Sequence, residues 1–306
     1  MKTKRIIGFE SLARWQHPIN GLLSPDMFIP LVEELGLIDA LSGQLFGDAC
    51  RDAAKWPDYI SLSFSFSPIQ LSNRNFAQDV LTVLSDTGLK PHRFEAEITE
   101  SALVTDFEAT RRAIETLRRA GVRIVVDDFG IGYSGLSQLY ELHFDKLKID
   151  KRFIRELGKS SENDVFLRGI FGLCKGLDLC VTAEGIETAA QAEQALRYGA
   201  HQGQGFFFGE AVSAAAAAQL LSAAPEAQEA QQVPDFGLDI AVHGWGMATT
   251  GQTVYALLAE ASVMGQLLAM IIIPPLVGVV TYAVLRFVWN RQDRADSIVR
   301  QGELDA

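Results

Sequence analysis

Carboxylate and amide side chains recur at the ends of short apolar runs along the first two thirds of this chain. They are Glu10, Glu97, Glu100, Asp127, Asp128, Asp150, Glu184, Glu187 and Gln204, and Lys148 is the one lysine among them. So many carboxylates in one place repel each other unless divalent cations are present. Oxygen ligands without His or Cys favour Mg²⁺ or Mn²⁺ over Zn²⁺. These residue types therefore predict a divalent-metal site, if the fold brings the run ends together.

The apolar runs alternate with amphipathic segments. Strand-like runs cover 6–15, 60–66, 93–99, 122–129, 146–150 and 178–185. The segments between them, such as "DFEATRRAIETLRRAG" and "ENDVFLRGIFGLCKG", end at a glycine as helices commonly do. Alternating strands and helices predict a parallel sheet, either open or closed into a barrel. Polar groups at many strand ends converge on one face only in a closed sheet, so the pattern favours a TIM-type α/β barrel.

The run "SLSFSFSPIQ", from Ser61 to Gln70, alternates serine with apolar residues and reaches a turn at Pro68. Period-two alternation is typical of a β-strand with two different faces. One face could meet water, as in an antiparallel sheet, or line a polar site inside a barrel. The strand-end acids favour the second interpretation.

The composition excludes some function classes. The 306 residues are 48% hydrophobic and 21% charged, which is enough for a sizeable core. A net charge of −11 argues against binding duplex DNA or RNA through phosphates, which needs clustered Lys and Arg. Cys50, Cys174 and Cys180 show no metal-ligand spacing and are interpreted as core thiols of a reducing compartment.

The C-terminal part has a different character. From Ala261 to Leu285 there are 25 residues without a charge. As a helix at about 1.5 Å per residue, this run would be roughly 37 Å long, against about 30 Å for a bilayer core. We predict a transmembrane helix within 256–290, a linker over 223–255 and a polar tail over 291–306; a buried core helix is the alternative. No signal sequence is expected in residues 1–12.

Six motifs occur in the order and spacing of a known domain: "FESLARW", "EITES", "DDFGIGYSGLSQL", "DKLKIDKRFI", "TAEGIET" and "HQGQGFFFG". Over about residues 5–222 the chain resembles the EAL domain, whose members hydrolyse cyclic di-GMP. The resemblance implies a TIM-like (βα)8 barrel, dependence on two Mg²⁺ or Mn²⁺ ions, and linear pGpG as product. Family members are often dimeric, and some are degenerate receptors that bind the dinucleotide without hydrolysing it.

The resemblance also implies residue roles. Its metal-ligand positions are Glu10, Glu97, Asp127, Asp128 and Glu187. Lys148 matches the lysine that holds the nucleophilic water, and Glu184 matches the general base. The supporting positions are Arg14 for phosphate binding, Glu100 for bracing the loop after Asp128, which links the site to a dimer interface, Asp150 for site support and Gln204 at the closing strand.

The chain departs from the family in four places. Ser11 replaces the eponymous alanine, with little expected effect, and Glu210 and Ala211 replace a basic residue and a proline near the rim. The first strand and its helix are absent upstream of Glu10, which would leave an exposed edge unless the start is misplaced or another segment fills the gap. Ser65 stands where the family has a metal-ligand asparagine. A serine hydroxyl is a shorter and weaker ligand, so we predict weaker metal affinity and reduced turnover.

Two classes of function follow. The first is metal-dependent hydrolysis of cyclic di-GMP, favoured by Lys148, Glu184 and the Asp pair; the second is a non-hydrolysing receptor or protein-interaction module, favoured by Ser65 and the missing strand. The barrel is expected in the cytoplasm, anchored in the bacterial inner membrane. Arginines that follow the apolar run would place the C-terminus in the cytoplasm as well. A single membrane span cannot have both the barrel and the C-terminus in the cytoplasm. We give priority to the substrate, which is cytoplasmic.

Overall fold

The apolar runs become strands of a parallel sheet in the computed structural model, which describes residues 5–130, 141–223 and, for the backbone, 237–243. In chain order the strands are β1 (Arg5–Leu12), β2 (Trp15–His17), β3 (Gly21–Leu23), β4 (Ser61–Phe66), β5 (Phe94–Thr99), β6 (Arg123–Phe129), β7 (Lys146–Ile149), β8 (Cys180–Ala183), β9 (Gln202–Gly203) and β10 (Gly237–His243). Eight strands close into a barrel in the order β1, β10, β9, β8, β7, β6, β5, β4. The predicted TIM-like α/β barrel is confirmed. β2 and β3 form a separate two-stranded sheet.

Helices alternate with the barrel strands. They are α1 (Pro25–Glu34), α2 (Ile38–Ala53), α3 (Pro68–Leu71), α4 (Phe76–Thr87), α5 (Ala102–Thr105), α6 (Phe107–Arg119), α7 (Lys151–Arg155), α8 (Ser161–Gly176), α9 (Ala189–Tyr198) and α10 (Ala214–Ala223), with a 3-10 turn at Pro91–Arg93. Their ends carry the expected local signals. Thr188 and Gln191 form a capping box at the start of α9, and Gly199 ends that helix in the left-handed conformation.

The hydrophobic core lies between the outer faces of the strands and the helices. Phe46 of α2 packs with its ring centroid 5.2 Å from that of Phe64 and 5.5 Å from that of Phe66, both on β4. The alternate residues of β4 are serines that face the barrel interior, where Ser63 and Ser65 donate hydrogen bonds to glutamates of β5. The interpretation of the serine face as the lining of a polar site is therefore confirmed.

Strand β10 closes the barrel between β1 and β9. It pairs in parallel with β1 on one side, where Glu10 is level with Ala241, and with β9 on the other. A gap between these two strands would otherwise leave two strand edges with unpaired N–H and C=O groups, and a strand in this position satisfies both. Residues 237–243 lie within the segment 223–255 that we predicted as a linker, so this part of it is a barrel strand.

The remaining C-terminal predictions fall on residues that the structure does not describe. By its internal contacts the chain divides into one unit of Met1–Trp15 with Leu22–Ala248, which contains the barrel, and a second of Gln16–Gly21 with Thr249–Ala306. Of the second unit only residues 16–21 are described. None of the described helices is long and apolar enough to cross a membrane. The predicted span within 256–290 and the polar tail lie outside the described residues.

Candidate active site

Lys148 of β7 is surrounded by four carboxylates that come from four different strand ends. Its Nζ lies 2.8 Å from Glu184 Oε1, 3.0 Å from Glu97 Oε2, 3.2 Å from Glu10 Oε2 and 3.4 Å from Asp127 Oδ1. Lys148, Glu97 and Glu10 are buried. Residues separated by up to 174 positions in the chain thus meet at the carboxyl-terminal mouth of the barrel.

The carboxylates in this cluster hold more negative charge than one ammonium balances. Burial alone would lower the pKa of Lys148, but the carboxylates outweigh it and raise that pKa well above its usual value. Burial and the charge of Glu10 raise the pKa of Glu97 well above its usual value. Burial raises the pKa of Glu184 to about 8, with Lys148 opposing and Asp127 contributing. A site of this kind gains protons or binds a divalent cation.

Among the described residues, Asp127, Asp128 and Glu184 form a group of potential metal ligands. Each offers a carboxylate oxygen within 4.8 Å of those of the other two. Asp128 has a left-handed backbone with φ of +55°, which is uncommon for a residue with a side chain and is found at functional sites. Burial, Asp127 and Asp150 raise the pKa of Asp128 to about 6. Three such oxygens suit a hard divalent cation.

Two further groups support a cation at this mouth. Gln204 donates a 2.7 Å hydrogen bond from Nε2 to Glu10 Oε2, and its buried Oε1 has no hydrogen-bond partner among the residues that the structure describes. A buried acceptor without a donor is costly, and a cation or ordered water would satisfy it. Ser65 donates a 2.9 Å hydrogen bond from Oγ to Glu97 Oε2, so the serine touches a predicted ligand. The residues present therefore fit a divalent metal.

The residues predicted as supports lie around the cluster. Glu100 is buried and accepts a 2.9 Å hydrogen bond at Oε2 from the backbone N–H of Gly130, the last described residue before 131–140. Asp150 caps α7 by accepting a 2.8 Å bond from the N–H of Arg152 and also binds its Nε at 2.9 Å. The bracing role of Glu100 and the supporting role of Asp150 stay predictions.

Two predicted site residues contact other groups. Arg14 donates a 2.7 Å hydrogen bond from Nη1 to the backbone oxygen of Ala13. Burial lowers the pKa of Arg14, opposed by the nearby charges of Asp26 and Glu10. Glu187 is exposed and pairs at 3.0 Å with Nη2 of Arg155, outside the cluster around Lys148. Its role as a metal ligand stays a prediction.

A second buried ion pair was missed from the sequence. Glu95 and Lys146 lie inside the barrel with Oε2 and Nζ 2.6 Å apart. The signal is present in "FEAEIT" and "KLKI", where residues two apart share a strand face with Glu97 and Lys148.

The fold and the site together define a class: a parallel α/β barrel with an acidic, metal-type site at the carboxyl ends of its strands. A family model described as "EAL domain" matches residues 1–211. The chain belongs to the EAL domain family.

Curated relatives support this assignment. The chain is 37% identical over 213 residues to the bifunctional diguanylate cyclase/cyclic di-GMP phosphodiesterase MucR of Pseudomonas aeruginosa, an alignment that covers 68% of this chain and 31% of MucR. It is 46% identical over 189 residues to an uncharacterized signaling protein of Caulobacter vibrioides, covering 61% of this chain and 23% of that protein. The chain thus spans less than a third of the length of these relatives.

Solved structures give the same picture. A structure of the PaMucR phosphodiesterase in complex with c-di-GMP has a TM-score of 0.61 and 37% identity, covering 63% of this chain and 80% of that chain. The EAL enzyme Bd1971, in its cAMP- and cyclic-di-GMP-bound form, has a TM-score of 0.69 and 27% identity, covering 72% of this chain and 61% of that chain. At family level these comparisons support hydrolysis or binding of cyclic di-GMP.

Proposed function

We propose that this chain is a metal-dependent phosphodiesterase that opens cyclic di-GMP to linear pGpG. The observation that supports this most directly is the position of Lys148, held at 2.8 Å from Glu184 and surrounded by three further carboxylates. A module that only binds the dinucleotide has little need of a buried lysine against a general base. The family membership of the chain agrees with this activity.

The ligands of two Mg²⁺ or Mn²⁺ ions would come from the predicted set: Glu10, Glu97, Asp127, Asp128 and Glu187. When bound, the ions neutralise charge on the phosphoryl oxygens and lower the pKa of a water. Burial first, and the neighbouring carboxylates after it, raise the pKa of Glu97. A divalent cation would relieve both effects by neutralising the buried negative charge.

Side chains of this protein would accept the proton of the attacking water and position that water. The water oxygen would form a bond to phosphorus while the bond from phosphorus to the 3′ oxygen breaks, and the 3′ oxygen would leave as a hydroxyl group by taking a proton from solvent. Glu184 would receive the proton of the water, since its Oε1 lies 2.8 Å from the Lys148 Nζ that holds this water in the proposal. Lys148 orients the water and stabilises its developing negative charge. Arg14 would bind a phosphate of the ligand.

Product formation tests the proposal. The purified chain is incubated with cyclic di-GMP and Mn²⁺, and pGpG is measured by chromatography. We expect product from the wild type and a loss of at least about a hundredfold for Glu184→Gln, because general-base catalysis contributes that much. Glu193→Gln is the control, since its carboxylate pairs with Arg197 on an exposed helix surface. Absence of pGpG from the wild type would contradict the proposal.

The second candidate is a receptor that binds cyclic di-GMP without hydrolysing it. Ser65 favours it, because the family has a metal-ligand asparagine at this position. The same incubation distinguishes the two, with ligand binding followed by calorimetry. Binding without product identifies a receptor.

We also propose an assembly. Two copies would associate through the loop after Asp128, and the cytoplasmic barrel would be anchored in the bacterial inner membrane by the apolar segment within 256–290. Residues 131–140 and the segment within 256–290 lie outside the described residues. Sedimentation of the purified chain tests the dimer, and reporter fusions at each terminus test the topology.

A further inference from the structure

The predicted metal ligand Glu187 is paired with an arginine. Arg155, the last residue of α7, donates from both Nε and Nη2 to one carboxylate oxygen of Glu187, Oε1, at 3.3 and 3.0 Å. The side chains of Arg155 and Glu187 are 52% and 42% exposed. Glu184, three residues earlier, lies 2.8 Å from Lys148 instead. Two predicted site residues on one short segment after β8 therefore have different cations as partners.

The backbone that carries Glu187 is fixed by its neighbours. The N–H of Ile186 donates to the backbone oxygen of Gln204 at 2.9 Å. Gly185 has a left-handed φ of +64°, and a Cβ there would lie 2.3 Å from Cβ of Lys151, so this segment is packed closely against the start of α7. A change of partner by Glu187 is therefore a rotation of its side chain and needs no movement of the segment.

The pair with Arg155 opposes ligation of a metal ion by Glu187. Glu187 is not a member of the group formed by Asp127, Asp128 and Glu184, whose carboxylate oxygens lie within 4.8 Å of one another. An oxygen that accepts two hydrogen bonds from a guanidinium is already engaged with a positive charge. Because the pair is exposed, it is weak enough for a divalent cation to displace.

We infer that Arg155 is a positioning residue that holds Glu187 away from the metal site, and so raises the metal concentration at which the site fills. In this role it contacts neither substrate nor metal and acts through Glu187. The inference rests on the proposed function, because it assumes that Glu187 is a metal ligand.

Mn²⁺ binding by the full chain, followed by electron paramagnetic resonance of free Mn²⁺, tests the inference without measuring activity. For Arg155→Met we expect the dissociation constant for Mn²⁺ to fall by about two- to fivefold, the range that loss of an exposed ion pair allows. Arg155→Lys keeps the charge and should lie between the wild type and Arg155→Met. A merely structural role for Arg155 would not make a variant bind Mn²⁺ more tightly.

Two controls separate competition for Glu187 from a general effect of charge. Glu187→Gln should weaken Mn²⁺ binding, and adding Arg155→Met to it should change nothing further, because the arginine then has no carboxylate to withhold. A general effect of charge would persist in this double variant. Arg197→Met breaks another exposed Arg–Glu pair, with Glu193 at 2.6 Å on α9, and should leave the Mn²⁺ affinity unchanged.

Salt gives a further readout, since it screens exposed pairs. The difference between the wild type and Arg155→Met should shrink at about 1 M NaCl. If Arg155→Met does not fold, Arg155→Gln removes the same charge and should show the same fall.

The inference would be overturned by affinity at or below that of the wild type in every folded variant without the arginine charge. An equal gain on the Glu187→Gln background, or a Glu187→Gln variant that binds as well as the wild type, would also overturn it. In each case Mn²⁺ binding by the wild type would still support the proposed function. A wild type that binds no Mn²⁺ would overturn both.

Discussion

Replacing Ser65 by asparagine should lower the Mn²⁺ concentration that the enzyme needs. Ser65 ends the polar face of β4, and its hydroxyl donates a 2.9 Å hydrogen bond to Glu97 Oε2. An asparagine there extends further from the backbone and carries a carbonyl oxygen, a better ligand for Mg²⁺ or Mn²⁺ than a hydroxyl. Ser65→Ala is the matched control, because it removes the hydroxyl without adding a ligand.

The size of the effect follows from the contacts of Ser65. A hydrogen bond to a charged group is worth about 1.5–3 kcal/mol when buried, and roughly 1 kcal/mol is reasonable for this exposed serine. At 1.4 kcal/mol for each tenfold, Ser65→Ala should raise the Mn²⁺ concentration for half-maximal activity by about fivefold. Ser65→Asn should lower it by about tenfold, comparable with other changes beside a metal ligand.

The assay is pGpG formation across a Mn²⁺ titration at saturating cyclic di-GMP. The expected change lies in the Mn²⁺ requirement, with the three proteins in the order Ser65→Asn, wild type, Ser65→Ala from lowest to highest. If Ser65→Asn needs as much Mn²⁺ as the wild type, the shortness of the serine side chain is not the defect in this site. Thermal melting of each variant checks that the barrel is intact.

Two other predictions concern the charge balance of the site. Lys148→Met should abolish pGpG formation and lower the free energy of unfolding of the metal-free protein by about 3–5 kcal/mol, because it leaves buried carboxylates without their cation. The control is Lys159→Met, which breaks an exposed ion pair with Glu156 and should change neither quantity. The carboxyl of Glu184 has its pKa raised from 4.5 to about 8 in the folded protein, so the folded state holds a proton that the unfolded state loses. Its contribution to stability is present below pH 4.5 and is lost as the pH rises to about 8, while Mn²⁺ affinity rises over the same window because binding releases that proton. Urea unfolding in the presence of a chelator measures the stability at several pH values, and Mn²⁺ titrations at the same pH values measure the affinity. An affinity that is constant from pH 5 to pH 8 would contradict the assigned pKa.

Local pattern was enough to predict the barrel and most of its mouth. The alternation in β4 and the apolar runs of the other strands depend on neighbouring residues alone, since strand side chains alternate between two faces. The acids at the run ends then converge once the sheet closes, as Glu10, Glu97, Asp127 and Glu184 do around Lys148.

Pairing between distant segments could not be predicted in this way. That β10 closes the barrel depends on two strand edges being open, which no local feature of residues 237–243 reveals. The left-handed backbone of Asp128 and the pairing of Glu187 with Arg155 also depend on neighbours brought by the fold.

Glu95 and Lys146, which stand beside Glu97 and Lys148 in the barrel, show where the division lies. Strand alternation alone does not distinguish Glu95 from Glu97, or Lys146 from Lys148, because each pair shares one face of one strand. Their depth in the barrel separates them. Glu97 and Lys148 meet the carboxylates at the mouth, whereas Glu95 and Lys146 pair with each other at 2.6 Å. The sequence by itself determined which residues line the barrel and, through its motifs, which of them to expect at the site. Only the closed tertiary structure decided which of them meet there, because depth arises from the register and closure of strands far apart in the chain.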